Sequence, residues 1–358
     1  MSTKIKFENI LKCPITELPL ALLTAQAVDE LNARIASGEI KERCGDVYQR
    51  SVKSALKADG ADLFYPIEED IYCLLPECAL LGKYQESHSN QAQVTKSQVK
   101  KFYDEFGWQA ENGVFQDAKD SEDLRAVSQE YIERCHLRLN QFLPSKGTYL
   151  LDVASGPVQY PAYLTYSQNY DYRICADISI LALKEAKKKL GEKGIYLLCD
   201  VTRLPIQSDT IDAGISLHTL YHVPANEQAK AFQEIYRVIK PGGSSVIVYS
   251  WGSKSLLMNI LMFPQKVLSL AKRKLFSANA GQTLYFHAHS YAWFCEQIQN
   301  QYQTKLYSWR SVNVPFLKWF IHPFLGGRTI LKFFYWLEEK APQLMGKVGA
   351  YPLFVSKK

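Results

Sequence analysis

Nowhere in the 358 residues do two cysteines stand in a C-x-x-C pair, although the chain holds eight. This excludes a dithiol redox motif and a zinc ribbon of the usual spacing. The cysteines are also not crowded into a small secreted framework, and they read as reduced thiols of a cytosolic protein. No run reaches the ~18 uninterrupted apolar residues of a membrane-spanning helix. The opening MSTKIKFENILKCP lacks the apolar core of a secretory signal. The G-x-G-x-x-G of dinucleotide-binding oxidoreductases is missing as well, as are internal repeats and low-complexity tracts. A net charge of +6 is too small to choose between an anionic cofactor, a phosphorylated substrate and an anionic surface. What remains is a soluble composition, 47% hydrophobic and 22% charged, on a chain long enough for two domains.

The chain divides into three regions. Residues 1–85 form a small module, with helical spacing near Thr24–Ser37 and apolar runs at Phe64–Ile67 and Ile71–Leu75. Residues 86–98 are polar and read as a linker. From residue 99 to 358, strand-like and helix-like pieces alternate. The strands are Tyr149–Ala154, Tyr172–Asp177, Ile195–Asp200, Ile211–Leu217 and Ser244–Ser250. Helices are expected at Ser179–Leu190 and Asn226–Lys240, the second stopped by Pro241-Gly242-Gly243. Further on come a helix at Ser290–Asn300 and strands at Thr304–Val312 and Tyr351–Val355. The alternation predicts an α/β fold, a doubly wound Rossmann-like parallel sheet, joined to a small α+β N-terminal module. Right-handed crossovers gather the C-terminal strand ends on one edge, where ligands bind.

Three acids stand at consecutive strand ends. Asp152 precedes a small-residue turn, Ala154-Ser155-Gly156, that brings backbone N–H groups close to a ligand. Asp177 suits ribose hydroxyls. Asp200 suits an exocyclic amine such as that of adenine.

The stretches DVASGP, ADIS, CDVTRLP, IDAGISLHTLYHVP and YRVIKPGG resemble the class I S-adenosylmethionine-dependent methyltransferases, nearest the branch with quinone-biosynthesis enzymes. The resemblance implies S-adenosylmethionine as cofactor. Its amino acid part would lie on Asp152, Ala154, Ser155 and Gly156, its ribose on Asp177 with Ile178, and its adenine by Asp200 and Val201. Leu217 would flank the sulfonium, and Tyr103 of the leading aromatic helix would cover the cofactor or the acceptor. The family turn is usually D-x-G-x-G-x-G; here Ala154 and Val158 replace two glycines. Alanine costs little unless φ is positive there, and valine is expected to narrow the approach. His218 and His222 follow the fourth strand, where a base would act on an oxygen or nitrogen acceptor. His287 and His289 are a second candidate pair; an H-x-H with no third ligand nearby is not a metal site.

KCPITELPL followed by FYPIEEDIYCLLP resembles the zinc-ribbon activators of methyltransferases. Here Cys13 lacks its partner, because position 16 is Thr16, and a metal-free remnant is expected. Two segments, about 251–285 and 314–345, are apolar, aromatic and basic. In the first lie Lys254, Lys266, Lys272, Arg273 and Lys274; Arg310, Lys318, Arg328 and Lys332 lie in or beside the second. Such a face covers the sheet with a solvated basic edge, closes over an apolar acceptor, contacts a membrane, or stacks bases and binds phosphates of RNA. The expected acceptor is a small molecule or lipid-like, with tRNA or rRNA methylation and a non-catalytic scaffold as alternatives.

Overall fold

The computed structural model describes residues 7–83, 91–103, 107–108, 110–111, 114–116, 122–265 and 284–358. Four strands on the main path of the sheet precede the central region, β1 (Leu20–Leu22), β2 (Ala55–Ala58), β3 (Leu63–Glu68) and β4 (Ile71–Cys73), while two short strands, Lys41–Glu42 and Leu80–Leu81, pair off this path. Seven follow: β5 (Gly147–Val153), β6 (Tyr170–Asp177), β7 (Gly194–Leu198), β8 (Ile211–Leu217), β9 (Ile239–Val248), β10 (Lys305–Arg310) and β11 (Tyr351–Lys357). They pair in the order β1-β2-β3-β4-β7-β6-β5-β8-β9-β11-β10. From β4 to β9 every neighbour is parallel; β11 and β10 close one edge antiparallel. The sheet is therefore continuous through the N-terminal module: β4 lies parallel to β7, with Ile71, Tyr72 and Cys73 opposite Tyr196, Leu197 and Leu198.

The parallel strands read as unbroken apolar runs because helices cover both faces. Leu151, Val153, Ile174 and Leu197 face one core; Leu150, Cys175, Leu198 and Ile215 face the other. The helix Ile180–Leu190 starts where the Ser179 side chain accepts the Ala182 N–H, and ends at Gly191 with φ +52°. Gln228–Val238 buries Ala231, Phe232, Ile235 and Val238, the stripe its spacing predicts. It is shorter than expected, because Ile239 already pairs with Ile211 and the Pro-Gly-Gly segment lies within β9. In the N-terminal module the Cys13 thiol is buried and meets the Tyr65 hydroxyl at 3.4 Å and the Ile15 and Thr16 N–H groups at 3.4 and 3.3 Å. Of the basic residues between 251 and 290, Lys266, Lys272, Arg273 and Lys274 lie outside the described residues.

Candidate cofactor and acceptor site

The strand order reverses between β5 and β8, and the crevice at their C-terminal ends is where an open α/β sheet binds ligands. There β5 ends and the turn 154–158 begins. The Ala154 N–H donates to the Ala176 carbonyl at 2.6 Å, tying the turn to β6. Ala154, Gly156 and Val158 all hold left-handed backbone, at φ +52°, +54° and +50°. The condition under which alanine is costly is thus met, and a β-branched residue in this region is more strained still. At Gly156 a Cβ would stand 2.9 Å from the Trp108 ring, so only glycine fits. Val158 does not narrow the site as expected: its side chain is buried in the core beneath the sheet edge and does not line the cavity.

The crevice holds a cavity of about 330 Å³, within the ~300–1,000 Å³ of small-molecule sites. Of the residues singled out in the sequence, it is lined by Tyr103, Asp152, Ala154, Ser155, Gly156, Asp177, Ile178, Leu217, His218 and His222. A smaller cavity of about 70 Å³ shares part of this wall and is lined by Asp200 and Val201 with apolar Val153, Ala176 and Leu204. His287 and His289 do not line either one; the His289 ring stacks on Trp293.

The three acids differ in their partners. Asp152 is buried, and Arg173 of β6 donates to it from Nε at 3.0 Å and from a terminal nitrogen. Asp177 Oδ2 accepts the Gly156 N–H at 2.9 Å and Oδ1 the Ser179 N–H at 2.8 Å, so this carboxylate fixes the glycine turn. Asp200 Oδ1 caps Thr202, and Oδ2 takes Lys96 Nζ at 2.7 Å. Lys96 also meets Glu227 at 2.6 Å. Lys96 belongs to the helix Gln91–Phe102, which this cluster ties to the sheet edge. Just beyond that helix Tyr103 stacks on Trp108, ring centroids 4.8 Å apart, above Gly156.

At the other end of the cavity stands a buried ion pair that was not anticipated. Arg310, the last residue of β10, donates to Glu122 at 2.6 Å, and both line the cavity with Tyr160, Tyr163 and Tyr351. Arg310, one of the cations of the basic aromatic segment, is 1% exposed, with its guanidinium against the Trp309 and Tyr351 rings. Its Nε has no hydrogen-bond partner among the described residues. Burial works against the Glu122 charge, but Arg310 and His136 outweigh it and hold the carboxyl at about 2. An isolated arginine closing an apolar strand was the signal for this pair; Glu122, far away in sequence, offered none.

His218 has φ +59°, a strained conformation of the kind that gathers at functional sites. Its ring stands edge-on to Trp309 and Tyr351. Burial, reinforced by Arg310, pushes it down to about 3. Burial pushes His222 down to about 4, although its Nδ1 lies 2.7 Å from the Tyr285 carbonyl. A carbonyl only accepts, so Nδ1 carries the proton and Nε2 holds the lone pair. Both rings are neutral at ordinary pH.

Residues 151–247 match the methyltransferase domain family. The chain is 33% identical over 98 residues to the ubiquinone/menaquinone biosynthesis C-methyltransferase of Desulfotalea psychrophila, covering 27% of this chain and 39% of that one. It is 34% identical over 113 residues to the tRNA (carboxymethyluridine(34)-5-O)-methyltransferase of Arabidopsis thaliana, 31% and 26% of the two chains. With cycloartenol-C-24-methyltransferase 1 of Oryza sativa subsp. japonica it shares 28% over 187 residues, 48% and 49%. The chain thus spans under half the length of each of these relatives.

Proposed function

We propose that the chain is an S-adenosylmethionine-dependent methyltransferase acting on a small, largely apolar acceptor. The observation that carries this reading is the left-handed turn 154–158, tied through the Gly156 N–H to Asp177 and opening on the cavity. The match of residues 151–247 to methyltransferase domains supports it. The donor set fits the cofactor: a backbone turn cleared of side chain at Gly156, a carboxylate at the next strand end, and an apolar slot beyond it.

When bound, S-adenosylmethionine supplies an electrophilic methyl group on a sulfonium. The chain's own part is positioning. Asp177 and the turn would hold the ribose and the amino acid portion, and Ile178 and Val201 would flank the base. Leu217 and His218 lie where the methyl group would project. The aromatic wall of Tyr160, Tyr163, Tyr221 and Phe286 holds the acceptor and excludes water. His222 Nε2 offers a lone pair to a proton released as an acceptor oxygen or nitrogen is methylated.

Calorimetric titration with S-adenosylhomocysteine tests the cofactor. We expect micromolar binding, weakened by about 1–3 kcal/mol in Asp177→Ala. A folded Asp177→Ala protein with unchanged affinity would remove the ribose assignment; no binding to the parent chain would remove the enzyme reading. A second reading, tRNA methylation, draws on the similarity to the Arabidopsis relative. Incubation of cell extract with labelled cofactor separates the two, since label extracted into organic solvent favours a small acceptor and label retained in RNA favours the second.

A further inference from the structure

The chain leaves the cavity at Arg310 and enters a helical hairpin whose outer surface is exposed among the described residues. Its first helix is Val314–Phe320 and its second Gly327–Lys340, joined by a short turn at Pro323–Leu325. The inner face is ordinary: Phe316, Leu317, Leu331 and Phe334 are buried in the core under the sheet. The outer face is not. A helix on the surface of a soluble protein carries polar residues outward, yet here Trp319, Phe333 and Trp336 are each about half exposed, at 49%, 55% and 52%. Phe333 and Trp336 stack on one another with centroids 6.0 Å apart, forming one apolar ridge. At the tip, Phe324 is 97% exposed and Leu325 69%. Gly326, at φ +66°, turns the chain back behind them.

Scattered exposed hydrophobics need no explanation; a run of large ones on a single protruding element does. The charges around it are of one sign. Lys318, Arg328 and Lys332 are exposed beside these aromatics, and no acid occurs between residues 311 and 337. Aromatic and aliphatic side chains at a tip, ringed by cations, match the two layers of a bilayer surface. Tryptophan and phenylalanine settle at the headgroup and acyl boundary, and lysine and arginine meet anionic headgroups.

We infer that the hairpin Val314–Lys340 is a membrane-docking element that inserts Phe324 and Leu325 into the surface of an anionic bilayer. It holds the protein there peripherally, since among the described residues no helix is long and apolar enough to cross a membrane. The inference is independent of which acceptor is methylated.

Flotation of the full chain with phosphatidylcholine vesicles, with and without added phosphatidylglycerol, tests it. The protein should float with the anionic vesicles, and less with neutral ones or at high salt. Phe324→Glu, at a position too exposed to matter for folding, should abolish flotation. Arg328→Glu should lower the partition coefficient by at least about fivefold. Quenching of tryptophan fluorescence by brominated acyl chains should fall in Trp336→Phe. Failure to float with either vesicle, or flotation unchanged in Phe324→Glu, would overturn the inference. So would a dimer in light scattering that Phe324→Glu dissociates, which would make the ridge a contact between copies. Retention on single-stranded RNA lost in the same variants, without vesicle binding, would assign the face to RNA instead.

Discussion

Ala154 and Val158 stand in left-handed backbone where the resembling family has glycine, but their side chains lead to opposite expectations. Ala154 lines the cavity and buries little. Replacing it by glycine relieves about 1–2 kcal/mol of backbone strain and costs ~0.4–1 kcal/mol through the freer unfolded chain. Ala154→Gly should therefore stabilise by about 0.5–1 kcal/mol. Val158 is buried, and its side chain is worth ~1.5–3 kcal/mol to the core. The same relief cannot cover that loss, and Val158→Gly should destabilise by about 1–2 kcal/mol. Urea denaturation of both variants checks the pair; equal signs would mean the turn's strain is not what separates them. The histidines give a pH signature. Unfolded, His218 and His222 titrate near 6.5; folded, they are held at about 3 and about 4. Between these values the unfolded state binds more protons, so their stabilisation is complete above about 6.5 and is lost as pH falls towards 4. The slope is at most about 1.4 kcal/mol per pH unit for each histidine. Glu122, held at about 2, adds its loss only below its ordinary 4.5. Denaturation midpoints measured between pH ~7 and ~5 should fall in the parent and fall less in His222→Gln; a flat parent profile would mean that these rings are not buried neutral.

Among the elements, the helix Gln91–Phe102 is tied to the sheet edge through Lys96. Lys96 reaches Asp200, Thr202 and Glu227 at once, from a side chain only 18% exposed. Lys96→Met removes the cation and leaves two carboxylates without it. We expect amide hydrogen exchange across 91–102 to rise by about an order of magnitude, the effect of losing roughly 1.4 kcal/mol of local stability. Unchanged exchange would mean that packing alone holds the helix. This contact was not legible in the sequence: a lysine one turn before an apolar stretch looks like any solvated residue. The strands β5 to β9 were legible, because a buried parallel strand is a short apolar run and an acid or small residue marks its end. Ile211–Leu217 has the bounds its run predicts. The C-terminal edge of β9 was clear from Ser244 onward, while its start at Ile239 was hidden by a Pro-Gly-Gly segment that reads as a turn. The cavity wall formed by these strand ends was legible from the same runs. The wall of Glu122, Arg310 and Tyr351 was not, because these residues come from three distant segments: the antiparallel edge β10–β11 pairs Arg310 with Tyr351, and Glu122 joins them through its ion pair with Arg310.

At the scale of the molecule, composition marks a polar break near residues 86–98 between the N-terminal module and the rest of the chain. Across that break β4 supplies main-chain partners to β7 in parallel register, and the segment 10–12 adds hydrogen bonds to Pro205 and Gln207. Pairing between strands so far apart in sequence leaves no local trace, since a parallel neighbour is set by register and by the apolar character of both faces. The consequence concerns β7. Every residue of Gly194–Leu198 is buried, and nothing in it guards an open edge: it holds no charge, no proline and no bulge. The N-terminal module therefore acts as the cap of the sheet, whatever else it does. A chain beginning at residue 91 would expose the apolar β7 as an edge strand, a template for pairing with another chain. It should aggregate, or form dimers through β7, at concentrations where the full chain stays monodisperse in size-exclusion chromatography. A truncated chain that remains monodisperse and as stable as the parent would show that β7 needs no partner, and the module would then be a separate body resting against the sheet.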